Sequence, residues 1–308
     1  MRPLRLLPHP GAVVEITQRT IQGRYLFKPS PRLNAIVVGC LARAQKLTGA
    51  QVHAVAMMSN HFHLLLSFET VEQMSRFMCH LKTNISKEVG RIHDWEGSLF
   101  AGRYASIPLS DEPEIQVERL KYILSQGAKE GLVLSPRDWP GVHAARALAE
   151  GQPLRGVWVD RTKLYQARQK DRSVREADFT HEEELHLAPL PCWADLDDAT
   201  RRREVNRLLE EIEVKTLEKH RREGTVPLGA EAIRRRQPDE RPNRLAKSPR
   251  PRFHAATKAA FQALLEGYRE VYAEYRAAAE RLASGDRNVV FPENCFPPRL
   301  PFVDPLIA

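Results

Sequence analysis

Two apolar runs constrain this chain more than any other feature. Val52-His53-Ala54-Val55-Ala56-Met57-Met58 and His61-Phe62-His63-Leu64-Leu65-Leu66-Ser67-Phe68 stand on either side of Ser59-Asn60. Each reads as a strand, and the tight connection makes the pair a β-hairpin. Side chains two apart on a strand share a face. His61 and His63 therefore present two imidazoles side by side, while Phe62, Leu64, Leu66 and Phe68 fill the opposite face.

The surroundings alternate in type. Val13 to Thr20 is a short β-rich run, and Pro31 opens a helix through Ile36, Val37, Leu41 and Ala44 that ends near Thr48-Gly49. After the hairpin, Met74, Phe77, Met78 and Leu81 recur at helical spacing and predict a helix from Val71 to about Val89. Gly102 to Leu109 is another strand, and Pro113 to Lys129 an acidic-started helix stopped near Gly131. The order β-α-β-β-α-β-α describes an α+β unit, an antiparallel sheet with helices in the ferredoxin-like manner, over residues 1–150.

Residues 151–308 change character and predict a mainly helical accessory region. Residues 195–223 are charged and helical, with Leu196, Val205, Leu208, Leu209, Ile212 and Leu217 as the apolar positions. Residues 233–254 are rich in Arg and Pro, and their eight basic against two acidic residues give +6. A second helix follows from Ala255 to Ala283, with Tyr268, Tyr272 and Tyr275 on one broad stripe that reads as packing. The proline-rich tail 291–302 reads as extended chain draped on another surface.

Composition narrows the class. The chain has 308 residues, 42% of them hydrophobic, enough for a sizeable core in two folded units or one unit with appendages. Lys and Arg number 47 against 39 Asp and Glu, a formal charge of +8 that points to a polyanion, with nucleic acid ahead of a membrane. No stretch approaches the roughly 18 apolar residues of a membrane span, and the first ten residues, broken by Pro3, Pro8 and Pro10, lack a signal-peptide core. Cys40, Cys79, Cys192 and Cys295 form no CxxC pair, which argues against a zinc ribbon or disulfide framework and for a reducing, cytoplasmic setting with cysteines mostly buried.

The chemistry-bearing residues converge on the hairpin. Two neutral imidazoles at the His61/His63 spacing can share a divalent metal but need a third ligand. Alternatively they are inert on a surface edge strand. On the predicted helix after the last strand, Tyr122 and Gln126 are four apart on one face. A tyrosine hydroxyl and an amide oxygen set against a His pair suit metal-assisted attack on a phosphodiester, and an ordinary helix surface is the alternative. Asn60 turns the chain or orients a ligand. Arg103 and Tyr104 are candidate DNA contacts or plain strand residues, and Arg234, Arg235 and Arg236 are candidate phosphate contacts or a solvated linker. Trp95 and Trp139 are candidates for base stacking or packing. His53 reads as a strand residue.

Met57-Met58-Ser59-Asn60-His61-Phe62-His63-Leu64-Leu65-Leu66 resembles the HUH motif (His, bulky apolar, His) of single-tyrosine transposases. The blocks Glu96 to Leu109, Arg119 to Val133 and Pro136 to Leu148 agree in order and spacing with the REP-associated tyrosine transposases and their insertion-sequence relatives, over residues 11–150. The resemblance implies an HUH endonuclease core acting on single-stranded DNA near hairpins. It implies His61, His63 and Gln126 as ligands of Mg2+ or Mn2+, and Tyr122 as the nucleophile that forms a 5′-phosphotyrosine. The link conserves bond energy, so no nucleotide cofactor is needed, in keeping with the absence of a GxxxxGK[ST] run. Many REP-associated members carry Asn-Pro where this chain has Gln126-Gly127; glutamine at this position is found among the insertion-sequence relatives, so the resemblance leaves the subgroup and a REP-type substrate open. Two other readings remain: a non-catalytic DNA-binding module, and a metal phosphodiesterase on RNA or a small molecule. Monomer and homodimer both fit.

Overall fold

A computed structural model describes residues 4–242 and 251–298. Part of the basic segment (243–250), the tail beyond 298 and residues 1–3 lie outside these described residues.

The chain builds β1 (Val13–Arg19), α1 (Pro31–Thr48), β2 (Gln51–Met58), β3 (His61–Ser67), α2 (Val71–His93), β4 (Ala105–Pro108) and α3 (Pro113–Leu124). The four strands form one antiparallel sheet in the order β2-β3-β1-β4, the expected ferredoxin-like arrangement. β3 is an interior strand, paired on both sides. The reading of the His pair as a surface edge strand is therefore wrong, because β1 returns beside β3 and covers its second edge.

Local chemistry explains where the elements begin. Ser30 accepts a hydrogen bond from the Leu33 amide at 3.2 Å with Pro31 in the first turn of α1, and Thr70 does the same for the Gln73 amide at the start of α2. Both helices cover the sheet face that receives Phe62, Leu64, Leu66 and Phe68, where the Phe68 and Phe77 rings meet at 5.8 Å. Burying each such side chain contributes about 1.5–3 kcal/mol. The strand predicted over 102–109 is shorter, Ala105–Pro108. The helix predicted to reach Lys129 stops at Leu124, since Ser125 Oγ turns back to the Tyr122 carbonyl and Gly127 takes a left-handed φ of +87°.

The remainder adds α4 (Ala144–Glu150), β5 (Leu154–Val159), α5 (Arg161–Lys170), β6 (Thr180–Leu185), α6 (Asp198–Glu223), α7 (Ala230–Arg235) and α8 (Lys258–Ala283). It is mainly helical, with the antiparallel β5–β6 pair, joined through α5, as an element that the apolar pattern did not announce. β5 lies so close to α1 that a Cβ on Gly39 would sit 1.9 Å from the Val157 carbonyl oxygen, and one on Gly156 would sit 2.4 Å from the Ala35 oxygen. α6 packs against α3 and α4. Leu185, Leu190, Trp193, Val205, Leu208, Leu209, Ile212 and Ile233 join the same apolar core as the sheet. The composition change near residue 150 is therefore no break in packing. Leu6, Phe253 and Tyr268 form a smaller cluster, and the tail crosses it through a bridge between Leu6 and Cys295.

No helix of the described residues is long and apolar enough to cross a membrane. Cys40 and Cys295 are buried, Cys192 is partly so and Cys79 is exposed; none is in a disulfide. Trp139 is buried, and its indole N–H donates to the Met57 carbonyl at 2.9 Å. It is a packing residue and not the base-stacking platform the sequence allowed, because the loop after α3 folds back onto β2.

Candidate metal and tyrosine site

Alternation along β1 and β3 delivers the polar residues to the sheet face opposite α1 and α2. Thr17 and Ala56 flank His63 across the sheet, and Arg19 and Met58 flank His61. α3 packs on this face against β2 and β3. It carries Tyr122 to His63, their rings 5.7 Å apart and edge-to-face, while the His61 and His63 rings lie 5.2 Å apart.

Each imidazole is oriented from behind. His61 Nδ1 lies 2.7 Å from Asn60 Oδ1, and His63 Nδ1 lies 2.9 Å from Glu15 Oε1. An amide oxygen and a carboxylate can only accept, so both Nδ1 atoms donate and both Nε2 lone pairs are left toward the site. Asn60 also sits in the turn, where its side-chain N–H reaches the Gly23 carbonyl at 3.2 Å. Burial, with the charges of His63, Arg19 and Lys129, pushes the His61 imidazole down to about 3 and keeps it neutral.

Glu15 is the residue that sequence reasoning missed. It is buried in β1, with Arg119 Nε and Nη2 donating to its Oε2 at 2.9 and 2.6 Å and His254 Nε2 at 3.1 Å from the same oxygen. Burial alone opposes ionisation, but the contacts from His254 and His63 and the Arg119 charge hold the carboxyl well below the usual carboxylate range. A signal existed: Glu15 is an inward-facing charge within the apolar run Val13-Val14-Glu15-Ile16. No comparable signal marked His254, which arrives from the accessory half beside Leu109.

Gln126 reaches the site by another route than the one expected. It lies in the turn after α3 and not on a shared helical face. From there its side-chain N–H donates to the Tyr122 carbonyl at 3.1 Å, and the same side chain contacts His61. Tyr122 is half-buried between cations, with Arg119 Cζ 3.9 Å and Lys129 Nζ 3.6 Å from its ring centre. Among the described residues no three His, Cys, Asp or Glu side chains are grouped to hold a metal, so a site here needs Gln126 besides the two histidines. Two neighbouring imidazoles and an amide oxygen, with the Glu15 carboxylate behind His63, fit a divalent cation.

The segment matching an established family contains His61, His63, Tyr122 and Gln126. Residues 31–126 match the family of IS200-like transposases. The matched IS200-like segment runs from α1 to Gln126, under a third of the chain, and leaves out Glu15 and the accessory half. Among solved structures, a REP-associated tyrosine transposase bound to a REP hairpin is 16% identical, with 49% of this chain and 87% of that one covered at a TM-score of 0.41. A candidate transposase from Deinococcus radiodurans R1 is also 16% identical, with 39% of this chain and 95% of that one covered at a TM-score of 0.28. No curated protein matches the chain.

The other candidate residues lie apart from this centre. Arg103 and Tyr104 stand at the outer edge of the sheet just before β4. Arg234 and Arg235 end α7, with Arg235 paired to Glu231, and Arg236 follows with Glu240 at 3.6 Å. Trp95 is partly exposed under Arg24, whose Cζ is 5.3 Å from its ring. His53 occupies a bulge in β2 with both nitrogens engaged, as a structural strand residue.

Proposed function

We propose that the protein is a metal-dependent single-strand DNA endonuclease and strand transferase, a transposase acting near DNA hairpins through a 5′-phosphotyrosine. The observation that carries this reading is the placement of the Tyr122 ring 5.7 Å from His63, within a group whose two imidazoles are both held from behind through Nδ1. The match of residues 31–126 to IS200-like transposases supports it, and the hairpin bound by the similar solved protein suggests the DNA form to test.

In this mechanism His61, His63 and Gln126 would hold Mg2+ or Mn2+, which when bound supplies Lewis-acid polarisation of a scissile phosphate. The protein's own groups do the rest. Glu15 and Asn60 fix the imidazole tautomers. Arg119 and Lys129 flank the Tyr122 ring, and their charges draw the phosphate chain toward it. The Tyr122 oxygen attacks phosphorus, a Tyr122 O–P bond forms while the P–O5′ bond is kept, and the P–O3′ bond breaks, so that the proton lost by the phenol is balanced by one gained by the released 3′-hydroxyl. Attack by another 3′-hydroxyl on the phosphotyrosine reverses the step and joins strands.

The test is an adduct assay with stem-loop oligonucleotides from DNA flanking the gene, incubated with Mg2+ or Mn2+. Wild type yields a covalent protein–DNA species, and Tyr122→Phe lowers its yield at least ~1000-fold while leaving the melting temperature unchanged. An equal yield from Tyr122→Phe would refute the nucleophile. Hairpin binding with no adduct under either metal would favour the non-catalytic module, and turnover without an adduct the phosphodiesterase.

A further inference from the structure

A cavity of about 590 Å³ opens at the outer edge of β4, where the N-terminal segment, the approach to β4 and the chain entering α8 meet. Arg5, Arg103 and Arg252 line it together with Tyr104, Phe253 and Tyr268, and among the described residues no Asp or Glu does. Arg5 lies flat over Tyr104, with Cζ 3.7 Å from the ring centre, and Arg252 covers Tyr268 at 4.3 Å. Arg5 Nε is buried and has no hydrogen-bond partner among the described residues. Burial, with Arg103 nearby, lowers the pKa of Arg5, so an anion entering here relieves a real cost.

Three cations without a lining carboxylate call for an anion, and aromatic faces with apolar walls call for a flat, largely apolar ring. One chemical unit carries both: a nucleotide. The cavity's place in the fold then selects the source. Ala105 pairs with Thr17, and Thr17 with His63, so the backbone of this edge lies two strand spacings, roughly 10 Å, from that of His63, while the Tyr104 ring, 5.6 Å from Lys82 Nζ of α2, is on the face opposite the imidazoles. The link is also mechanical. Phe253 forms a wall of the cavity, and the next residue, His254, reaches Glu15 behind His63.

Resting on the transposase reading above, we infer that this cavity binds one unpaired nucleotide of the DNA strand being cut, its base on the Arg5–Tyr104 and Arg252–Tyr268 stacks and its phosphate on Arg103 and the same two guanidinium groups. The accessory half thereby helps decide which strand position lies over Tyr122.

The experiment is a binding scan with full-length Tyr122→Phe protein and a stem-loop oligonucleotide bearing single-stranded arms, an abasic site being moved along the arms. One position is expected to weaken binding roughly tenfold when its base is removed. Arg252→Ala and Tyr104→Ala each weaken binding of the intact oligonucleotide by a similar factor and erase the effect of that one abasic position. Arg103→Ala, at an exposed position where folding is not at stake, makes the dependence of affinity on salt shallower by about one phosphate contact. An abasic profile that is the same in wild-type and substituted cavities overturns the proposal. So does a free deoxynucleoside monophosphate that binds in an Arg252-dependent way while the DNA profile stays flat. Adduct formation by the unsubstituted protein is followed in parallel. Adduct with a flat scan sinks the cavity alone, whereas no binding of any DNA sinks both readings.

Discussion

On the face packed by α1 and α2, β3 sends Phe62, Leu64 and Leu66 into an apolar layer; on the other face the same strand sends His61 and His63 toward α3. β1 divides in the same way, with Val14 and Ile16 on the first face and Glu15 on the second, where its carboxylate is tied to Arg119, His63 and His254. A period of two residues lets adjacent positions answer to different demands. The apolar face holds the strands in register, and this register is what sets two imidazoles 5.2 Å apart. Substitutions on the two faces should then separate stability from chemistry.

The largest separation is expected between neighbours. Phe62→Ala empties a fully buried position against Phe27 and Phe100 and should cost about 3–5 kcal/mol in urea unfolding. His61→Ala, one residue away, should change stability by less than about 1 kcal/mol and yet remove adduct formation. If both substitutions destabilise alike, the division of labour between the faces does not hold.

The apolar side can be probed one layer further out, where Gly39 of α1 meets β5. Gly39→Ala places a methyl against the backbone carbonyl of Val157, which no side-chain rotation relieves, so a loss of about 3 kcal/mol is expected, with β5 and β6 forced away from α1. Hydrogen exchange should show the β5 and β6 amides losing protection first. A neutral result would mean that the β5–β6 pair is only loosely applied to the helix.

How much of this was legible follows the same division. The hairpin, the capped start of α1 and the pairing of His61 with His63 are encoded within a few residues of each other, so pattern alone recovers them. Tyr122 is local to α3, but Gln126 is not: reading it as a helix neighbour failed because Ser125 and Gly127 end the helix between the two. β5 and β6 escaped notice since Leu154–Val159 and the Glu-rich Thr180–Leu185 bury one another only partly and show little apolar alternation. The contact of His254 with Glu15 depends on how the distant halves of the chain pack, which no local spacing records.

The smallest effect concerns a third histidine on the site face, His53, which differs from the other two in having no open nitrogen. Its Nδ1 donates to the Ala188 carbonyl at 3.2 Å and its Nε2 lies 2.8 Å from Ser67 Oγ, so both nitrogens are engaged within the protein. Burial pushes its pKa down to about 4, despite backbone contacts that act the other way. The unfolded chain, with an ordinary value near ~6.5, takes up the proton first. The contribution to stability is therefore complete above that value and is lost as pH falls toward about 4. Between pH ~8 and ~5 the loss from this residue is about 2 kcal/mol. Urea midpoints measured across that range should fall accordingly, and His53→Gln, which has no proton to gain, should flatten this part of the slope. An unchanged slope in that variant would place the acid sensitivity elsewhere and leave His53 as an ordinary packed side chain.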